Sequence, residues 1–130
     1  MKITYRTAIE AQHSLGTLSS INLPIKTSLE VAKLALDMER EVNAFIKVRE
    51  QLIKNYKIKI GLANQDGQVE FTSTNEGERE KEEAVADFVV KINELVNTET
   101  EDITGKIHLP SDIIVSPATL KPILAFVELS

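Results

Sequence analysis

The sequence predicts an α+β fold: two long antiparallel amphipathic helices, shorter terminal helices beside them and a small antiparallel β-sheet. Three stretches carry that prediction. Between Ser28 and about Tyr56 apolar residues recur in steps of three and four; from Tyr56 to Thr72 they alternate; and from about Glu78 to Asn97 the helical step returns behind an acidic first turn. The 130 residues fit a single domain, 1–130, with one core.

In chain order, residues from Thr4 to about Leu18 form a short helix with Tyr5, Ala8, Ile9, Gln12, Leu15 and Leu18 on its face, and Met1–Thr4 is an alternative edge strand. Gly16 weakens the last helical turn. Leu23-Pro24 sets an extended entry into the long helix. Thr27-Ser28-Leu29-Glu30 reads as a capping box: the Thr27 hydroxyl accepts an unpaired N–H near Glu30, and the Glu30 carboxylate answers the N–H of Thr27. The stripe that follows runs through Val31, Leu34, Ala35, Met38, Val42, Phe45, Leu52 and Tyr56, widened by Ile46 and Ile53 and interrupted at Arg49. At about 1.5 Å per residue this helix is roughly 43 Å long, more than so small a domain needs.

The change to alternation at Tyr56, Ile58, Ile60 and Leu62 predicts a strand. Asn64-Gln65-Asp66-Gly67 predicts a turn, and Val69 and Phe71 a returning strand, closing a hairpin over Ile58–Thr72. The second helix has Ala84, Val85, Phe88, Val89, Ile92, Leu95 and Val96 as its core face, with Glu78, Glu80, Glu82 and Glu83 at the positive end of its dipole. Lys47, Arg49, Lys54, Lys57 and Lys59 gather near the end of the first helix, which favours an antiparallel pairing of the two. Ile103, Ile107 and Leu109 predict a short strand joining the hairpin, interrupted by Gly105 and ended by Pro110. Ser116-Pro117 starts a last helix, with Leu120, Ile123, Leu124 and Val127 buried and a kink or stop at Pro122.

Composition narrows the function classes. A formal net charge of -5 argues against a general nucleic-acid binder, and the absence of cysteine removes disulfide and thiolate chemistry. The start Met1-Lys2-Ile3-Thr4-Tyr5 has no signal-peptide run, and no stretch has the apolar length of a membrane span, so no membrane partner is expected. His13 and His108 lie in no metal-ligand spacing and read as structural. The pairs Asp37/Glu41 and Glu78/Glu82 are spaced to share a helix surface, but nothing completes a metal site, and a solvated face is the simpler reading. Neither a glycine-rich phosphate loop nor a nucleophile elbow occurs. No catalytic residue, metal or cofactor is expected, and the protein reads as a non-enzyme.

Two surfaces remain. Leu29, Ala32, Leu36 and Val48 lie partly off the main stripe, more apolar surface than one companion helix covers, which points to a second copy or another protein. The strip Lys47, Arg49, Lys54, Lys57 and Lys59 is the candidate for local phosphate contacts with nucleic acid, the less favoured partner. Charge pairing within the fold or across a dimer explains the same cluster.

Several segments, in order, resemble a family of small proteins encoded by tailed bacteriophages and prophages. They are Leu23-Pro24-Ile25-Lys26-Thr27-Ser28, the end of Glu41–Lys54, the Asp66-Gly67 turn, Leu95-Val96-Asn97-Thr98-Glu99, and Ile114-Val115-Ser116-Pro117-Ala118. Family members commonly have glycine after the tyrosine that ends the long helix, where this chain has Lys57 after Tyr56. The resemblance implies expression in the bacterial host cytoplasm and a small accessory or structural role, in the virion, in its assembly or on a host protein. It carries over no catalytic residues.

Overall fold

The computed structural model describes residues 1–63 and 69–129. Mixed helix and strand is what it shows, in the order α1 (Tyr5–Ser19), α2 (Ile25–Asn55), β1 (Ile58–Ala63), β2 (Val69–Ser73), α3 (Glu78–Val96), β3 (Ile107–Leu109), α4 (Pro117–Leu120), a 3₁₀ helix (Lys121–Phe126) and β4 (Val127–Leu129). The expected turn at Asn64–Gly67 lies outside the described residues. Two compact units result, one of Met1–Ala44 with Asn97–Ser130 and one of Phe45–Val96.

In the first unit, Thr4 caps α1 by accepting the N–H of Thr7 at 3.2 Å. Ahead of it the extended start of the chain is fastened to Thr98–Ile103: Tyr5 N–H donates to the Thr98 carbonyl, Thr100 to that of Ile3 and Ile103 to that of Met1. The buried face of α1 is Ala8, Ala11, Ser14, Leu15 and Leu18, while Ile9 is exposed. Small residues face inward because α1 packs against the 3₁₀ helix and α4, and short side chains let neighbouring backbones approach.

Val31, Leu34, Met38 and Val42 of α2 are buried here with Ile103, Ile107 and Leu109. At Gly105 a β-carbon would stand 3.1 Å from Leu34 Cδ1, so glycine lets this segment approach α2 closely. Ser116 caps α4 with Pro117 in its first turn, as the sequence predicts. From Lys121, with Pro122 in its first turn, the chain continues as a 3₁₀ helix, with three residues per turn. Its buried pair is therefore Ile123 and Phe126, three apart; Leu124, expected inside on an α-helical period, is exposed.

The strand over Ile107–Leu109 does not join the hairpin. It pairs in parallel with β4, Ile107 opposite Val127, so the described residues form two two-stranded sheets, one of them parallel, instead of one antiparallel sheet. Gly105 and Pro110 keep β3 short, and residues 110–126 supply the long crossover that a parallel neighbour requires.

In the second unit β1 and β2 form the expected antiparallel hairpin, Ile58 opposite Ser73 and Ile60 opposite Phe71, with a register shift between Ile60 and Ala63. The hairpin carries α3 on one side. Phe88 of α3 is 1% exposed and meets Phe71 edge to face, ring centroids 5.3 Å apart. Phe45, Ile58 and Ala84 are buried in the same unit. Lys57, just past α2, has φ 53°. That left-handed position ends helices and favours glycine, and its carbonyl accepts the N–H of Thr74 at 2.8 Å.

Candidate interaction surface

The start of α2 makes contacts that the capping-box reading missed. The helix begins at Ile25, so Thr27 and Glu30 are already inside it. The buried Thr27 hydroxyl donates to the backbone carbonyl of His108 at 2.8 Å. Glu30 Oε1 accepts the backbone N–H of His108 at 3.2 Å, and Glu30 Oε2 lies 2.6 Å from its Nδ1. Residues chosen for local capping chemistry thus hold a strand from far along the chain. On the other side of the ring, His108 Nε2 lies 2.9 Å from Glu128 Oε2, and Lys106 Nζ donates to Glu128 Oε1 at 2.8 Å.

Each ring nitrogen of His108 faces a carboxylate oxygen, so the protonated ring donates to both. The hydrogen bond to Glu30 and that carboxylate's charge, with Glu128 behind them, raise the His108 pKa above the ordinary 6.5. Glu30 is held below the usual carboxylate range chiefly by the His108 ring, and Glu128 chiefly by Lys106. Glu30 is 18% exposed and His108 44%, so the arrangement joins α2, β3 and β4 at the edge of the unit. With both nitrogens engaged, the ring is a lock between elements and has no free nitrogen for proton transfer. Sequence spacing gave no hint of it, because its members come from three distant segments.

The carboxylates of Asp37 and Glu41 also part ways. Glu41 is buried and accepts the Tyr5 hydroxyl at 3.2 Å, while Asp37 pairs with Arg40 at 3.7 Å. Burial and the Glu41 charge raise the Tyr5 pKa. Among the described residues no group of three or more His, Asp or Glu is placed to hold a metal ion. His13 is exposed beside a groove of about 520 Å³ that includes Ile9, Glu10, Ser14 and Lys121.

Of the apolar candidates, Leu29 is 55% exposed, Leu36 66%, and Ala32 is exposed between them. Ile25, which the capping-box reading left outside the helix, is its first residue; it is 82% exposed and continues the row. Ile25, Leu29, Ala32 and Leu36 step by four, three and four, a single stripe on a regular helix. Val48 is also exposed, but twelve residues past Leu36 a regular helix has turned it about 120° away from that stripe. Lys26, Lys33 and Arg40, all exposed, follow one flank of the stripe at intervals of seven, and Glu39 lies on the other flank.

All five basic candidates are exposed, and no ion pair among the described residues engages any of them. Lys47 and Lys54 are seven apart and share a helix face; Arg49 is turned about 160° from Lys47. Lys57 and Lys59 follow in the loop and in β1. The helix therefore presents two lysines together and one arginine apart.

The second unit also contains a groove of about 680 Å³ between β2 and α3. Phe71, Val85 and Ala86 line it with apolar surface, and Glu78, Glu82 and Lys81 add charge. Lys81 Nζ is 3.7 Å from Glu78. Among the described residues no helix is long and apolar enough to cross a membrane. No known protein family, curated protein or solved structure matches this chain.

Proposed function

We propose that the protein is a non-enzymatic accessory or structural component of a phage or prophage, acting through protein–protein contact in assembly. The observation that carries the reading is the stripe of large apolar side chains that Ile25, Leu29 and Leu36 expose to water on α2. Single exposed apolar residues are ordinary, but a regular row of them on one helix face has the form of a helix-packing surface. The phage assignment, and with it a place in the host cytoplasm or the virion, rests on the order of the sequence motifs that resemble the phage family. We also take α3 to run antiparallel to the last turns of α2, as their opposite end charges favour.

A photo-crosslinking residue at Leu29 or Leu36, expressed in phage-bearing cells, is expected to give a discrete protein adduct that the same residue at exposed Asp112 does not. A virion component in the adduct supports assembly, and a host protein supports modulation of the host. No adduct at either stripe position overturns the reading. Nucleic-acid binding is the second reading, favoured by the unengaged cations Lys47, Arg49, Lys54, Lys57 and Lys59. It requires affinity at low salt that falls with salt and with charge reversal at Lys54 and Lys57.

A further inference from the structure

We infer that the partner of the α2 stripe is a second copy of this chain, which receives it in the groove between β2 and α3, so that copies join head to tail. The inference rests on the interaction reading above and names its occupant.

The two surfaces complement each other in shape and in charge. The stripe is convex: Leu29 and Leu36 project from a helix two turns apart, with Ile25 and Ala32 in the same row. The groove is concave, and at about 680 Å³ it has room for side chains of that size between Phe71, Val85 and Ala86. Lys26 and Lys33 follow the stripe, whereas Glu78 and Glu82 stand at the groove with Glu80, Glu83 and Asp87 exposed on the same helix. Two cations offset that charge: Lys81 lies beside Glu78, and Arg79 pairs with Glu83 at 3.1 Å. The first turns of α3 remain net acidic, so opposite potentials meet across the contact.

A stripe-to-stripe dimer lacks this match. Packed antiparallel, two α2 helices set Lys26, Lys33 and Arg40 against the same residues of the other copy. Packed parallel, those cations face Ser28 and Ala35, which supply no carboxylate. Because the stripe and the groove are different surfaces, their union leaves one of each free at every step. Such a contact extends into a filament, or closes into a ring if the rotation between copies allows it. From Ile25 to Leu36 the row spans only about 17 Å of helix. It buries less than the ~800 Å² per partner of a standard stable interface, so a single contact is weak and association calls for high concentration.

Two variants isolate the surfaces. Leu29→Glu with Leu36→Glu blocks the stripe, and Glu82→Lys with Ala86→Lys blocks the groove; all four positions are exposed, and circular dichroism checks the fold. Sedimentation velocity of the full chain from about 10 to 500 µM, a range suited to a weak contact, is expected to show a rising mass. Each variant alone is expected to stay monomeric, and an equimolar mixture to form a one-to-one dimer and nothing larger. A charge exchange adds a second readout: Lys33→Glu or Glu82→Lys alone weakens association at least about tenfold, and mixing the two restores part of it.

A full chain that stays monomeric throughout overturns the inference, as does a mixture that gives no dimer. Association that persists in either blocked variant also overturns it. A crosslink from Leu29 to a different protein, with the chain itself monomeric, removes this partner and leaves the interaction reading standing.

Discussion

Thr27 separates two accounts of how α2 begins. As a cap, its oxygen accepts a backbone N–H, and aspartate serves there as well as or better than threonine. In the structure its hydroxyl is a donor, 4% exposed within its residue, to the His108 carbonyl at 2.8 Å. Thr27→Val keeps the shape and removes the donor. The lost hydrogen bond and the carbonyl left with one partner fewer cost about 1–2 kcal/mol. Thr27→Asp is far worse, because it places a buried carboxylate against a carbonyl oxygen and one turn from Glu30. An unpaired buried charge of this kind costs about 3–5 kcal/mol. Thr27→Ser retains the donor and loses only a methyl group, about 1 kcal/mol. Urea unfolding followed by circular dichroism ranks the series, and amide exchange at Ile107–Leu109 localises the effect to β3. At roughly 3–5 °C per kcal/mol for a chain of this size, the aspartate variant melts at least about 9 °C lower. Stability of Thr27→Asp equal to that of the natural chain would refute the donor assignment and restore the cap.

The His108 lock predicts a stability optimum on the acidic side of neutral. A raised histidine pKa contributes stability that is full below the ordinary 6.5 and lost as pH rises through the folded value, whereas the lowered Glu30 and Glu128 contribute above the ordinary 4.5 and lose it as pH falls through theirs. With Lys106 charged throughout, unfolding midpoints of the natural chain minus those of His108→Gln should peak between about pH 4.5 and 6.5 and shrink above the raised value; a flat difference contradicts the lock. Lys57→Gly relieves the left-handed backbone at φ 53° and is expected to stabilise by about 0.5–1 kcal/mol, read from the urea midpoint, whereas Gly16→Ala, in α1 with open space around it, gains similarly from helix propensity alone. Phe88→Ala removes the ring that meets Phe71 and should cost about 3–5 kcal/mol, visible as early loss of amide protection in β1 and β2.

Periodicity made the long elements legible. The steps of three and four through Val31, Leu34 and Met38 identified the buried face of α2, and the alternation around Ile58 identified the hairpin. Short elements without a full period were harder. A single turn of helix and a turn of 3₁₀ both contain Pro122 and Ile123, and only the register of Phe126 distinguishes them. β4 is three residues long and adopts its conformation against β3, a partner that no local pattern announces. At the interaction surface, Leu29, Ala32 and Leu36 stood out by their excess over the core stripe, whereas Ile25 did not because the capping-box reading set the helix start after it. The left-handed position at Lys57 had no local signature, because lysine carries no preference for positive φ.

The bonds from Thr27 and Glu30 to His108 span 81 and 78 residues of chain. Closing loops of that length costs entropy before any contact rewards it. The opening turn of α2 is therefore fastened late, after the body of the helix has formed from its own neighbours. Refolding rates should be nearly indifferent to changes at Thr27 and Glu30, which would act on unfolding instead. The two ends of one helix would then be on different clocks, the far end set by nearby residues and the near end by the arrival of β3.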